Sequence, residues 1–229
     1  MVRKFYLAVV VAVLGGGVVF AGSPLGAPAA SLVRGQWSLG ADYGFMDADI
    51  DTDLADVSGF ESNTILANLG YGIADNWELY GLLGFADGEV GGFDSDYEEA
   101  YGFGAKVTLS ESPKWKWGAV YQMLWVNPED TVGGVDVEAD IYDIKAAFGP
   151  TYKINECWDI YGGPMVYYIA GDVDAGFGPV TANTDVDQDV QVGAYGGIGV
   201  DLTDDWALVG EYQWTQDVDM IGASLHFKF

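Results

Sequence analysis

The chain has 229 residues, of which 35 are acidic and 9 basic, giving a formal net charge of −26, and half of its residues are hydrophobic. That charge excludes nucleic acid as a partner, because phosphate contacts need Lys and Arg. The hydrophobic content excludes charge-driven disorder, and a single cysteine, Cys157, excludes an intramolecular disulfide.

Residues 1–21 read as an export signal. Arg3 and Lys4 make its positive end, Phe5–Phe20 its apolar core, and Val19-Phe20-Ala21 offers small residues before a cut. A second cut is available near Ala29-Ala30. The apolar run is shorter than the ~20 residues of a helical span, and Gly15-Gly16-Gly17 interrupts it. Residues 22–33 follow as a short N-terminal segment, and 34–229 read as one domain.

Ten alternating segments can be drawn in that domain: roughly 35–46, 62–73, 77–86, 99–110, 115–126, 139–154, 158–170, 187–202, 206–215 and 218–229. Each is near the ~9–11 residues that a tilted strand needs to cross a membrane. The connections at Asp75-Asn76, Glu111–Lys114, Asn155–Cys157 and Thr203–Asp205 are short. Those at 47–61, 87–98, 127–138 and 171–186 are long, and the last, near Gln216-Asp217, is tight. Each short turn is followed by Trp (Trp77, Trp115, Trp158, Trp206), and Trp37 opens the first strand. A repeated hairpin with Trp at one end suits a membrane–water interface, where the ring and its N–H are both satisfied. The expectation is an all-β fold: a closed antiparallel transmembrane β-barrel of ten strands, with eight as the alternative count.

Period two assigns the faces. Trp37, Leu39, Ala41, Tyr43 and Phe45 share one face, as do Ile221, Ala223, Leu225, Phe227 and Phe229, and these are expected to meet lipid. The opposite face carries Asp42, Glu78, Lys106, Gln122, Asp143, Lys145, Glu211, Gln213 and His226 among many glycines, and is expected to line a lumen. A soluble β-sandwich competes with this reading, but it gives no reason for Trp and Tyr to mark strand ends. On a concave barrel wall, glycine permits curvature and close approach.

Charge follows the same polarity. Arg34, Lys114, Lys116, Lys153 and Lys228 lie at the short-turn end, and the long loops are acidic. The ladder Asp47, Asp49, Asp51, Asp53 suits a divalent cation such as calcium, although the EF-hand pattern fails at Thr52 and Ser58. A solvated acidic rim is the competing explanation. No other cofactor is expected. An enzyme is not expected either: His226, the only histidine, lies three residues from the C-terminus and far from the loop aspartates.

Two readings of the lumen stay open. In one, Lys106 and Lys145 pair with Asp42, Asp143 and Glu211, and tyrosines help to fill the interior, leaving a structural or surface-interaction protein. In the other, glycines leave a narrow, cation-preferring path for small solutes.

The chain ends Leu225-x-Phe227-x-Phe229. This resembles the C-terminal assembly signal of bacterial outer-membrane proteins. With the export signal and strand pattern, the chain is similar to the small outer-membrane β-barrel superfamily, OmpA-like barrels among them. The resemblance implies a Gram-negative-type outer membrane, lipid as the surrounding partner, and the barrel-assembly machinery as a partner during biogenesis. It names no extracellular partner, and no residues remain for a peptidoglycan-binding domain.

Overall fold

The alternation that begins at Trp37 builds strands and no other regular element among the described residues. A computed structural model describes residues 22–51, 56–90, 93–94, 97–127, 129–132, 135–177, 180–187 and 190–229. The export-signal reading of residues 1–21 therefore lies outside the described residues. The strands are β1 (Trp37–Asp51), β2 (Asp56–Ala74), β3 (Trp77–Ala86), β4 (Glu89–Val90), β5 (Phe93–Asp94), β6 (Glu98–Glu111), β7 (Trp115–Val126), β8 (Glu129–Val132), β9 (Val135–Lys153), β10 (Trp158–Phe177), β11 (Val180–Asp187), β12 (Gln191–Asp201), β13 (Trp206–Trp214) and β14 (Val218–Lys228).

Ten of these form the wall, each antiparallel to its chain neighbour, in the order β1-β14-β13-β12-β10-β9-β7-β6-β3-β2. The pairing of β1 with β2 closes the ring. The two ends of the domain meet at the seam, where Trp37 N donates to Phe229 O at 3.0 Å and Phe229 N donates to Trp37 O at 2.9 Å. Closure leaves no free sheet edge in the hydrocarbon, which is what a membrane requires of β-structure.

Among the described residues, the four stretches expected as long loops contain more strand than loop. β2 and β9 have 19 residues and β10 has 20. At about 3.3 Å per residue, β10 is ~66 Å long, well beyond a ~25 Å apolar band even when tilted. The excess forms hairpins that continue the wall outward, such as β10–β11, paired from Ala170↔Asp187 to Phe177↔Val180. Acidic side chains do not stop strand pairing where backbone hydrogen bonds propagate from an established ladder.

One interruption lies within the wall. The β9–β10 pairing stops at Tyr161↔Thr151 and resumes at Met165↔Ala147. Pro150 and Pro164 fall in the unpaired interval, and proline has no N–H to give to a ladder.

The interior is layered. Toward the loops it is apolar: Met46, Phe60, Tyr167, Ile169, Val218 and Met220 belong to one buried cluster, and Leu66, Leu82, Leu124 and Val126 to another. The lumen expected to be hydrophilic thus has a large apolar share toward the loops, with buried Ser62, Asp143, Gln191 and Thr215 set among it. Inward-facing leucines were hidden in strands whose outward positions are also apolar.

Candidate functional site: a lumen occupied by the N-terminal segment

Residues 22–33, GSPLGAPAASLV, carry no charge in a chain that is otherwise strongly acidic. They run through the lumen rather than away from it. Leu25 is 2% exposed and Leu32 1%, and Ser23, Ala29 and Ala30 are also buried. An irregular segment inside a barrel must find partners for its backbone amides, because close packing displaces most of the water that would otherwise serve them. The wall supplies them from two carboxylates.

Glu211 holds the first part. It accepts hydrogen bonds from Leu25 N and Gly26 N, both at 2.8 Å. It also accepts from Tyr161 OH and Gln213 Nε2, both at 2.7 Å. Gly26 has φ +70°, a backbone conformation that glycine enters without cost. Glu78 holds the second part, accepting from Ser31 N at 2.8 Å, Ser31 Oγ at 3.2 Å and Leu32 N at 3.2 Å.

Ser23 is gripped from three strands. Gln122 Nε2 donates to its Oγ at 2.5 Å. Lys145 Nζ and Gln213 Nε2 donate to its carbonyl oxygen at 3.2 and 3.1 Å. Tyr80 OH donates to Gln122 Oε1 at 3.0 Å, orienting the amide.

The wall glycines make the room. A Cβ on Gly118 would lie 2.5 Å from the Cα and N of Ala29, and one on Gly222 2.5 Å from Pro24 Cγ. A Cβ on Gly44 would collide with the carbonyl of Gly22, and one on Gly72 with that of Val33. Close approach of backbone, more than curvature, explains why these inward positions are glycine.

The remaining lumen residues take definite places. Asp42 accepts from Asn68 Nδ2 at 3.0 Å and lies 3.6 Å from His226 Nε2. Lys145 and Asp143 are both buried, with Nζ 3.8 Å from Oδ2. Lys106 Nζ sits 5.6 Å from the Tyr80 ring centroid, and a Cβ on Gly26 would lie 2.8 Å from it. Of the expected pairs, Lys145 lies beside Asp143, and the carboxylates take further partners as well. Glu211 and Glu78 bind the backbone of the segment, and Lys145 divides itself between Asp143 and Ser23. The sequence reading placed Gln122 and Gln213 on the inward face, yet it gave no role to Ser23, Leu25, Gly26, Ser31 or Leu32.

A cavity of about 110 Å³ remains beside the segment, lined by Gly26, Ser31, Glu78, Lys106, Asp159 and His226. A larger hollow of about 510 Å³ lies on the membrane-facing surface, where Ala105, Ala119 and Ala146 are short beside Trp77, Tyr121 and Phe148.

The other expected residues divide by face and level. Trp37, Trp77, Trp115, Trp158 and Trp206 each begin a strand and are 41–44% exposed. Three of them pack at a tilt against aromatic neighbours, with centroids 4.5 Å apart for Trp37–Tyr71, 4.5 Å for Trp115–Tyr152 and 5.0 Å for Trp206–Phe227. Leu225 and Phe229 point outward, and Phe227 stacks on Phe229 at 5.9 Å. Asp47 lies in β1 rather than in a loop, with Glu61 and Asp219 as cross-strand partners, and Glu89 next to Glu61. Asp53 lies outside the described residues, as do the side chains of Asp49 and Asp51. Among the described residues no group of three or more acidic, His or Cys side chains has the arrangement of a metal site.

The sequence profile of the family described as outer membrane protein beta-barrel domain matches residues 73–228. Among solved structures the chain is similar to Outer Membrane Protein W of E. coli, with 15% identity over 86% of this chain and 99% of that one and a TM-score of 0.49. It is similar to the translocator domain of autotransporter NalP from Neisseria meningitidis, with 8% identity over 87% and 90% and a TM-score of 0.49. It is also similar to the outer membrane protease OmpT from Escherichia coli, with 9% identity over 92% and 99% and a TM-score of 0.48. With these identities and TM-scores below 0.5, nothing is carried over from these proteins to this chain. No curated protein matches the chain.

Proposed function

The chain belongs to the outer membrane protein beta-barrel domain family, and from that premise we propose that it is a closed, non-enzymatic barrel of the Gram-negative outer membrane that works through its outer surface. The observation that carries this reading is the occupation of the lumen by residues 22–33, seated on Glu211, Glu78, Gln122 and Lys145. A barrel filled in this way passes no solute, so what it offers the outside is its set of acidic outward hairpins. The chain reaches the membrane by a cleaved export signal, and its last strand is read by the assembly machinery.

Catalysis has little support. The one histidine faces Asp42, and no hydroxyl donates to it or accepts from it among the described residues. The small polar cavity beside Glu78 and Asp159 favours a second reading, a cation path that opens when the segment leaves its seat.

Planar-bilayer recording of the purified full-length protein tests the first reading. It predicts no steady current from the intact chain and a current from a chain lacking residues 22–33. A steady cation-selective current from the intact chain would establish the second reading instead.

A further inference from the structure

The segment begins at Gly22, and the lumen around that residue is unusual. A Cβ on Gly22 would lie 2.8 Å from Met46 Cβ and 3.1 Å from Met220 Cγ, so position 22 sits directly beneath the apolar layer. Its carbonyl lies against Gly44, and the β1–β2 register sets Thr64 opposite Gly44 and Ser62 opposite Met46. The hydroxyls of Ser62 and Thr64 are buried there without a hydrogen bond. Asp143 is 3% exposed, and beyond the Leu124 amide its one ion pair, to Lys145, is long at 3.8 Å. Lys145 in turn is drawn to Ser23 O. Among the described residues the cationic side chains near the four buried carboxylates (Asp42, Glu78, Asp143, Glu211) are Lys106, Lys145 and His226, and while Glu211, Glu78 and Asp42 also take neutral donors, Asp143 has the fewest partners. Buried charge of one sign calls for another cation or donor.

We propose that processing supplies it. Water hydrolyses the Ala21–Gly22 amide: its hydroxyl goes to the Ala21 carbonyl, leaving a carboxylate on the leader. The Gly22 nitrogen gains the proton and, at neutral pH, a second one. The resulting α-ammonium stays inside the lumen as a structural cation, paired with Asp143 and within the reach of Ser62 and Thr64. The structure selects this bond over the one near Ala29-Ala30, because a cut there would remove Ser23, Leu25 and Gly26 and strip Glu211 of its backbone partners.

This inference rests on the stopper reading above, and its test separates the two. Protein extracted from membranes without unfolding is treated with an acetylating ester at neutral pH, digested with trypsin, and the peptide ending at Arg34 is weighed. The expected peptide begins at Gly22, and its α-amine is acetylated at least tenfold more slowly than in urea-unfolded protein. Asp143→Asn should reduce that protection severalfold. A start at Ala30 or Ser31, or equal labelling rates, overturns the proposal, and unchanged protection in Asp143→Asn overturns the pairing. Chains that begin at Gly22, with a free or an acetylated α-amine, can also be refolded from denaturant. The acetylated chain should unfold at lower urea, and identical midpoints count against a buried cation. Conductance of the same preparations reads the stopper separately: a freely labelled amine in a non-conducting barrel sinks this inference and leaves that reading standing.

Discussion

Glu211→Gln is the sharpest single perturbation of the seat. The substitution keeps the side chain's size, so it opens no cavity, and it replaces a charged double acceptor by a neutral group that is half donor. In the native lumen the two carboxylate oxygens take four donors: Leu25 N and Gln213 Nε2 on one, Gly26 N and Tyr161 OH on the other. An amide has one oxygen and one NH₂ group, so whichever way it turns, two donors face a donor. Hydrogen bonds to charged groups contribute about 1.5–3 kcal/mol each. Part of the loss is recovered by the Tyr161 hydroxyl, which can rotate, and by water in the adjacent 110 Å³ cavity. A net cost of about 3–4 kcal/mol follows, which moves the seated–unseated equilibrium by two to three powers of ten, at ~1.4 kcal/mol per decade. Two assays read it: urea unfolding in detergent should show a lower midpoint, and planar bilayers should show intermittent current absent from the parent. A Glu211→Gln barrel as stable and as silent as the parent would refute the reasoning, because the segment would then not depend on this carboxylate.

Other expectations follow from the same geometry. Gly118→Val places a side chain where Ala29 now sits, 2.5 Å from the built Cβ, and should destabilise the barrel by about 1–3 kcal/mol in urea melts while opening it to current. Lys106→Ala should leave the intact chain silent in bilayers, since the segment and not this side chain blocks the path; a current from that variant would reverse the order of importance. Brominated lipid should quench the outward, interfacial Trp37, Trp77, Trp115, Trp158 and Trp206, and single Trp→Phe variants should each remove part of the quenched signal. The charge of Asp87, partial burial and a hydrogen bond to Asp87 hold the Tyr97 phenol above its ordinary value in an outer loop. Its contribution to stability is present below the unfolded phenol value and is lost as pH climbs through the raised one. An NMR titration of the Tyr97 ring should show a midpoint that falls in Asp87→Asn.

The wall was legible because its physics is local. A tilted strand in lipid needs alternation over a fixed length, and Trp at the start of β1, β3, β7, β10 and β13 marks one interface. Residues such as Asp42, Lys145 and Glu211 break the apolar rhythm, so their inward direction followed from period two. The outward hairpins were harder. Stretches such as Asp172–Asp187 lack the alternation that lipid imposes, yet backbone pairing continues through much of them. The stopper was not legible. GSPLGAPAASLV has no period, and nothing local says that Gly118 and Gly222, far along the chain, leave room for Ala29 and Pro24. Two traces of it are visible in retrospect: the segment is uncharged in a strongly acidic chain, and the inward face has more glycine than curvature alone requires.

Residues 22–33 lie inside the barrel, and a cross-link reads that placement. Pro24→Cys and Gly222→Cys, combined in a Cys157→Ser background, put two thiols where Pro24 Cγ now lies 2.5 Å from a Cβ built on Gly222. Mild oxidation of the folded, membrane-inserted protein should join them nearly completely, giving a disulfide-linked pair of tryptic peptides. Thiols that stay free and react with a water-soluble maleimide would place the segment outside the lumen.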